Sequence, residues 1–330
     1  MPTIEEIEFV KMHGAGNDYV YIDATQSCPE DLPALARAIS DRHFGVGGDG
    51  LVAILRSECA DFRMRMFNAD GSEAQMCGNA SRCIGKFVYD RGLTASTTVT
   101  LETLAGIKIL RLHLGDDGKV ATVTVDMGEP TLEPVNVPAI ASSLHESGAG
   151  IVELAYGDRA YRAVAVSMGN PHGVIFIDHS PTDHEVLEIG KAFEVDPAWP
   201  EKVNVEFACV ISPERIEMRV WERGSGETLA CGTGACATAV AAALTGRASR
   251  HCDIILRGGT LTIEWDEATG HVFMTGPAAT VADGRYYYSP TSPAGSPSCR
   301  PGSEAGAPDG FTAAAPTDSA TPASSQPQPI

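Results

Sequence analysis

The sequence lacks the features that would direct the chain into a membrane, into an export pathway or onto nucleic acid. It has no run of about 18 apolar residues, the length that would suggest a bilayer span. Its start, MPTIEEIEFVKMHG, does not show the basic and then apolar order of a secretory signal. Lysine and arginine number 24 against 43 aspartates and glutamates, and the resulting net charge of −19 disfavours binding to phosphate backbones. We therefore expect a cytoplasmic protein without a nucleic-acid or membrane partner.

The sequence also lacks the cysteine spacing of common metal and redox motifs. None of its nine cysteines forms a CxxC pair, so zinc-ribbon and thioredoxin-type sites have no support. The number is odd and the expected compartment is reducing, which argues against a disulfide framework. We expect no metal and no cofactor. Six cysteines are expected to be small buried apolar residues, namely Cys28, Cys59, Cys83, Cys209, Cys236 and Cys252.

Two hydrophobic periods divide the rest of the chain. Alternating runs such as DFRMRMF, RAVAVSMG and RIEMRVWE predict half-buried strands. After Cys77 and again after Cys231, apolar residues follow the i, i+3, i+4 spacing of a helix face. The second of these segments, ACATAVAAAL, is apolar on most sides and predicts a helix enclosed by sheet. Further helices are predicted at residues 32–42 and 185–193.

The order strand, Cys-Gly turn, buried helix and strands occurs twice, and Cys231 follows Cys77 by 154 residues. This predicts an α/β (α+β) fold of two pseudo-symmetric domains, each a curved, mostly antiparallel sheet wrapped around a central helix. We assign residues 1–128 plus a returning strand at 275–288 to the N-terminal half, and residues 129–274 to the C-terminal half. Residues 289–330, rich in Pro, Ser, Ala and Gly, are predicted to form a disordered tail.

A cysteine directly before a helix can be both reactive and close to an anion site. The helix start carries a partial positive charge and unpaired N–H groups, which favour a thiolate and bind carboxylates. Asn79 and Thr233 are good N-cap types, so the cysteines are expected just outside the first turn. Gly78 and Gly232 would let a ligand approach the backbone closely. If two such turns face each other, one thiolate can remove a proton from carbon while the opposing thiol protonates the other face. The pair therefore predicts a cofactor-independent racemase or epimerase.

Six ordered segments carry a family resemblance: KMHGAGNDYV, DRHFGVGGDG, FNADGSEAQMCGN, SMGNPH, VWERGSGETLACGTGAC and MTGPA. Over residues 7–287 the chain resembles the diaminopimelate epimerase family. The resemblance implies paired α/β domains and a pyridoxal-independent interconversion of LL- and meso-2,6-diaminopimelate, a step in lysine and peptidoglycan precursor synthesis. It also implies a homodimer, to which some members contribute an aromatic residue where this chain has Ala282. Gly50 is a departure, because some members have glutamine there.

The resemblance assigns roles to individual residues. It implies that Cys77 and Cys231 are the acid/base pair and that His172 and Glu222 tune the two thiols. The implied substrate contacts are the side chains of Asn17, Asn68, Asn170, Asn204, Glu222 and Arg223, with the backbone N–H groups of Gly78, Asn79, Gly232 and Thr233. Asparagine offers both donors and acceptors to the second amino-acid head of diaminopimelate, and arginine can bind its carboxylate through two parallel hydrogen bonds.

Three alternatives remain open on the sequence alone. A related racemase acting on proline, hydroxyproline or histidine would leave the asparagine set and Arg223 unpaired, at about 1–3 kcal/mol per buried group. A thiol redox or metal-binding protein using Cys77, Cys231 and His172 predicts a bound metal or a catalytic disulfide. A non-enzymatic binding module predicts no exchange of the substrate α-hydrogen with deuterated solvent.

Overall fold

A computed structural model of the chain describes residues 4–289, so the predicted tail lies outside the described residues from position 290 onward. The first half contains strands β1 (Glu5–Gly14), β2 (Asn17–Asp23), β3 (Gly50–Leu55), β4 (Phe62–Asn68), β5 (Glu73–Ala74), β6 (Thr98–Thr103), β7 (Gly106–Leu114) and β8 (Val120–Gly128). The second half contains β9 (Ser143–Leu144), β10 (Gly150–Tyr156), β11 (Arg159–Ser167), β12 (Pro171–Ile177), β13 (Asn204–Ser212), β14 (Arg215–Glu222), β15 (Gly226–Glu227), β16 (His251–Leu256), β17 (Gly259–Trp265) and β18 (Val272–Pro277). The last strand is β19 (Ala279–Tyr288).

The helices are α1 (Leu32–Ser40), α2 (Gly78–Asp90), α3 (Lys191–Glu194) and α4 (Gly232–Leu244), with a π-helical segment, His184–Gly190, leading into α3. The helix predicted at 32–42 is confirmed and ends two residues early. Its start is fixed by Asp31, whose side chain accepts the N–H of Ala34 at 2.9 Å. The helix predicted at 185–193 is confirmed in position but begins with π geometry. Across residues 4–289, every helix is too short or too polar to cross a membrane.

The two halves repeat one strand order. In the first, β2 runs parallel to β3, β3 antiparallel to β4, and β4 parallel to β6. In the second, β12, β13, β14 and β16 repeat these relations in the same order. The salt bridge between Arg65 and Glu73, 2.7 Å long, recurs 154 residues later between Arg219 and Glu227 at 2.8 Å. The predicted mixed fold with an internal duplication is therefore confirmed.

The halves are joined through the sheet. Strand β18 pairs with β17 on one side and with β8 on the other. The final strand, β19, then returns to the first half and pairs with β1 along most of its length. The boundaries at residues 128 and 274 stay a prediction, but the strand order brings the end of the described chain next to its beginning.

One hydrophobic core surrounds the two central helices. Helix α2 buries an apolar face, and α4, built mainly from alanine, is buried on almost every side. The helix starts meet at Met274. An added Cβ at Gly78 would lie 2.5 Å from its methyl carbon, and one at Gly232 would lie 3.0 Å from its sulfur. Glycine at both positions thus lets the N-termini of α2 and α4 approach each other.

The burial predicted for the other cysteines is only partly right. Cys83, Cys236 and Cys252 are buried, as expected. Cys28 and Cys59 are exposed and Cys209 is only half-buried. Cys28 precedes α1 and Cys59 lies in the turn between β3 and β4. The loops that contain these two cysteines lack the hydrophobic periodicity that would place a side chain in the core. The general preference of cysteine for the interior is therefore not enough to predict burial there.

Replacing Gly50 by alanine should destabilise the fold strongly. A Cβ there would lie 2.0 Å from the carbonyl oxygen of Phe67 and 2.6 Å from the ring of Tyr19. Because a backbone atom must move, we expect Gly50→Ala to lower the free energy of unfolding by about 2–3 kcal/mol in urea denaturation. Gly118→Ala is the control, since Gly118 has φ +73° with open space around it, and should cost about 1 kcal/mol. Equal losses of unfolding free energy in Gly50→Ala and Gly118→Ala would contradict the steric argument.

Candidate active site

Each of the two conspicuous cysteines is the N-cap of a central helix. Cys77 and Cys231 have extended backbones, and their carbonyl groups accept the first helical hydrogen bonds of α2 and α4, at 2.9 and 3.0 Å. The prediction that Asn79 and Thr233 form the caps is therefore wrong by two residues. Both helices start early because Gly78 and Gly232 can enter the first turn against Met274 without a steric clash. The cysteine sulfurs consequently lie directly beside the unpaired N–H groups.

Cys231 is buried at the start of α4, with its sulfur held by the first turn. The N–H of Gly234 donates to its Sγ at 3.4 Å, and the hydroxyl of Thr233 lies 3.5 Å from the same atom. The sulfur thus takes the capping position that the sequence assigned to the threonine oxygen. The charge of the Glu222 carboxyl also acts on this thiol.

Cys77 is half-buried at the start of α2, and its thiol has a different neighbour. It donates to Oδ1 of Asn17 at 3.6 Å and makes no side-chain cap bond to the first turn of α2. The amide of Asn17 is fixed in turn, because its Nδ2 donates to Oδ2 of Asp49 at 3.0 Å. A neutral amide therefore orients this thiol, whereas the first turn of its own helix holds the other.

Burial raises the pKa of both thiols, which contradicts the expectation that the helix starts lower it. For Cys77, loss of solvent outweighs the N–H groups of Asn79 and Ala80, which act in the opposite direction. The pKa of Cys231 lies well above its ordinary value, because burial is reinforced by the carboxyls of Glu222 and Glu206. The helix starts moderate the cost of a thiolate but do not create one, and Cys77 is the more easily ionised of the two.

Glu222 connects the two thiols electrostatically. It lies at the end of β14, accepts a hydrogen bond from the hydroxyl of Thr228, and has its pKa raised by burial. Its charge raises the pKa of both Cys231 and Cys77. Both sulfurs therefore lie within the electrostatic reach of one half-buried carboxyl.

His172 is fully buried at the start of β12 and bridges two side chains. Its Nδ1 lies 2.6 Å from Oε1 of Glu206, and its Nε2 lies 3.1 Å from Oδ1 of Asn170. A protonated ring would satisfy both acceptors. Burial raises the pKa of Glu206, and its Oε2 has no hydrogen-bond partner within residues 4–289. Sequence reasoning missed Glu206, although the alternation of β13 directs Asn204, Glu206 and Ala208 to one face.

The predicted asparagines differ in how free their amides are. Both ends of the Asn204 amide are occupied: Nδ2 donates to the carbonyl of Pro171 at 2.8 Å, and Oδ1 accepts the N–H of Arg223 at 2.9 Å. Asn204 thus holds the backbone on either side of the site. The Asn68 amide donates to Ser72 at 3.0 Å from a half-buried position. The guanidinium of Arg223 is exposed and donates to the carbonyl of Glu201 at 3.0 Å.

Strand register pairs several of the predicted site residues or their neighbours across adjacent strands. Strand register places Tyr19 beside Gly50, and Gly50 beside Asn68, in the first half. In the second half, His172 lies beside Asn204. The strand pairings thus bring together residues that are far apart in sequence. Sequence reasoning missed Asp49, Thr228 and Arg82 as well as Glu206.

The described part of the chain contains no group of three or more His, Cys, Asp or Glu side chains arranged to hold a metal ion.

Comparison with known proteins gives consistent matches over the described region. A family model named diaminopimelate epimerase matches residues 9–133 and 164–281. The diaminopimelate epimerase of Desulfovibrio desulfuricans is 54% identical over 287 residues, covering 85% of this chain and 98% of that protein. The diaminopimelate epimerase of Methanococcus maripaludis is 50% identical, covering 84% and 99%. Among solved structures, a hydroxyproline epimerase from Agrobacterium vitis superposes with a TM-score of 0.60 at 14% identity, covering 88% of this chain and 94% of that one.

Proposed function

The chain belongs to the diaminopimelate epimerase family and is an isomerase, and on this premise we propose that it interconverts LL- and meso-2,6-diaminopimelate through Cys77 and Cys231. The observation that carries the proposal is the pair of N-cap cysteines, one per half, that share the influence of Glu222. The fold likeness to a hydroxyproline epimerase concerns architecture alone, whereas identities of 50–54% support the diaminopimelate assignment.

In the proposed mechanism the two sulfurs act on opposite faces of the substrate α-carbon. One thiolate takes the α-proton, and the electron pair of the broken C–H bond delocalises into the substrate carboxylate. Unpaired N–H groups at the starts of α2 and α4, including those of Asn79 and Thr233, bind that carboxylate as its charge grows. The opposing thiol gives its proton to the other face and becomes the thiolate. The stereocentre is inverted, and the two sulfurs have exchanged roles.

The ionisation of the free site fits this scheme. Because burial raises the pKa of both thiols, the doubly deprotonated state is disfavoured near neutral pH. Losing a single proton gives the thiolate and thiol pair that the reaction requires. The charges of Glu222 and Glu206 raise the pKa of Cys231, so Glu222 and the His172–Glu206 pair would keep Cys231 protonated while Cys77 is ionised. These groups are the tuning residues of the proposal.

We propose that the remaining polar groups recognise the amino-acid head that does not react. Asn17, Asn68 and Asn170 offer amides at the rim of the site, and Arg223 offers an exposed guanidinium to a carboxylate. Asn204 supports Arg223 by accepting its backbone N–H. With a substrate that has a single amino-acid head, these groups would keep only their contacts within the protein.

Location and assembly are proposed on chemical grounds. A free thiol pair persists in a reducing compartment, which favours the cytoplasm. The net charge of −19 disfavours a nucleic-acid or membrane partner. A homodimer stays a prediction of the family resemblance, and sedimentation of the purified protein measures it directly.

Incubation with substrates in deuterium oxide tests the proposed function. We expect rapid incorporation of deuterium at the inverted α-carbon of LL-diaminopimelate, and turnover of proline and histidine at least about 10³-fold slower, because these substrates lack the second amino-acid head that the polar groups would bind. Faster turnover of proline or histidine would assign the related racemase activity. Exchange with none of them would favour a binding module, and metal content with a thiol count would test the redox or metal alternative.

A further inference from the structure

Arg82 is a fully buried cation without an acidic partner. It lies on α2 and is 0% exposed. Its Nε donates to the carbonyl of Pro277 at 3.2 Å, its Nη2 donates to Oδ1 of Asn79 at 2.9 Å, and its Nη1 lies 3.6 Å from the sulfur of Met274. All three acceptors are neutral, and no carboxylate of residues 4–289 pairs with this guanidinium. A buried charge is normally paired, so the missing anion calls for an explanation.

The titratable groups that influence Arg82 leave one candidate for that anion. They are Cys77 and Cys83 on α2, Tyr21 on β2 and Cys236 on α4. Burial raises the pKa of Cys83 to about 11 and that of Cys236 to about 12. It also raises the pKa of Tyr21 well above its ordinary value. These three groups stay neutral. Cys77 is half-buried at the N-cap of α2, five residues before Arg82, so its thiolate is the anion that Arg82 can balance.

Arg82 also ties the two helix starts together. Its bond to Oδ1 of Asn79 fixes the amide so that Nδ2 donates to the carbonyl of Ala230 at 3.1 Å. Ala230 directly precedes Cys231, and Asn79 is two residues after Cys77. The chain of bonds from Pro277 through Arg82 and Asn79 to Ala230 therefore fixes the distance between the segments that carry the two sulfurs.

We propose that Arg82 is a positioning residue that stabilises negative charge on Cys77 and, through Asn79, holds the start of α2 against the segment before Cys231. This inference rests on the proposed two-thiol function and adds a residue to which the resemblance gave no role. Position 236, which lies 154 residues after Arg82, is a cysteine in α4. The buried cation therefore exists in one half only, and it distinguishes Cys77 from Cys231.

The test measures the pH dependence of iodoacetamide alkylation at each cysteine, by mass spectrometry of the mapped peptides. The variants are Arg82→Met, which is similar in length but neutral, and Arg82→Lys, which keeps the charge. In Arg82→Met we expect the alkylation midpoint of Cys77 to rise by about one pH unit, while that of Cys231 stays in place. In Arg82→Lys the Cys77 midpoint should stay near that of the wild type. Cys236→Ala, at the matched position of α4, should leave it unchanged.

Epimerase assays of the same variants test the link through Asn79. The single ammonium group of Arg82→Lys cannot reach Pro277 and Asn79 together, so we expect kcat at least tenfold below wild type despite a normal Cys77 midpoint. An unchanged Cys77 midpoint in Arg82→Met, or equal shifts at both cysteines, would overturn the proposal. If circular dichroism shows that Arg82→Met does not fold, Arg82→Lys provides the test. Full epimerase activity in Arg82→Lys, or a displaced Cys77 alkylation midpoint, would then overturn the proposal. Alkylation needs no substrate, so a failure of the epimerase function itself would appear separately, as wild-type protein that does not exchange the α-hydrogen.

Discussion

Alanine at either Cys77 or Cys231 is expected to lower kcat for epimerisation of LL-diaminopimelate by about 10³-fold, the scale on which a positioned acid or base contributes. Each sulfur is the proposed acid or base for one face of the α-carbon. The neighbouring side chains cannot substitute: Asn17 beside Cys77 is neutral, and Glu222 beside Cys231 is already engaged by Thr228. The measurement is conversion of LL- to meso-diaminopimelate followed by chiral chromatography.

Deuterium labelling separates this expectation from a general loss of structure. A variant that keeps one sulfur can still exchange the α-hydrogen on one face without inverting the carbon. We expect Cys77→Ala and Cys231→Ala to exchange opposite diastereomers in deuterium oxide and to invert neither. Cys83→Ala and Cys236→Ala, which remove buried thiols from the same two helices, should keep most of the activity. Inversion at more than a tenth of the wild-type rate in either catalytic variant would rule out the two-thiol mechanism.

The two halves share a backbone plan but differ in charge at the site. Glu206, next to Cys231, corresponds to Val52 in the first half, and Glu222 corresponds to Asn68, each at a separation of 154 residues. Conversely, the buried cation Arg82 has the neutral Cys236 as its counterpart. Carboxyls therefore surround one thiol, while a guanidinium and amides surround the other. A symmetric fold thus supports an asymmetric pair of sulfurs, one ready to ionise and one ready to donate a proton.

Much of this arrangement could be predicted from local sequence. The repeated Cys-Gly turn, the helix periods after it and the strand alternation are short-range signals, and they correctly gave the duplication, both central helices and the cysteines at their starts. The resemblance supplied His172 and Glu222. In the structure the charge of Glu222 acts on Cys231, and His172 is bonded to Glu206, a second carboxyl that acts on the same thiol. Their roles, like those of the substrate contacts, stay predictions.

What local sequence missed depends on distant contacts. Asn79 is a good N-cap type, yet its side-chain amide is hydrogen-bonded to Arg82 and to the carbonyl of Ala230, which is 151 residues away. The cap therefore falls on Cys77. The direction of the thiol pKa values was wrong for a similar reason, because a helix start is visible in the sequence but the loss of solvent around it depends on the assembled sheet. Glu206 and Arg82 were missed because burial of a charge cannot be read from spacing alone.

Glu222→Gln should reduce kcat by about 10²-fold and change the shape of the pH profile. In the wild type, kcat/KM should rise with pH as the first thiol, mainly Cys77, ionises, and should fall when Cys231 ionises as well. The charge of Glu222 is the largest cause after burial of the raised pKa of Cys231, whereas for Cys77 it is one of the smaller causes. Removing the charge of Glu222 lowers the pKa of both thiols, so both limbs of the pH profile move to lower pH. The alkaline limb should move further, by about one pH unit, and the optimum should narrow.

The direction of that shift distinguishes an electrostatic role from a structural one. Loss of packing at the end of β14 would lower activity at every pH without moving the limbs. Glu264→Gln removes the same charge from an exposed position on β17, and its profile should match the wild type. An alkaline limb that stays in place in Glu222→Gln, or moves to higher pH, would show that Glu222 does not set the ionisation of Cys231. A shift of the alkaline limb alone to lower pH would confine its influence to that thiol and leave Arg82 as the charge that governs Cys77.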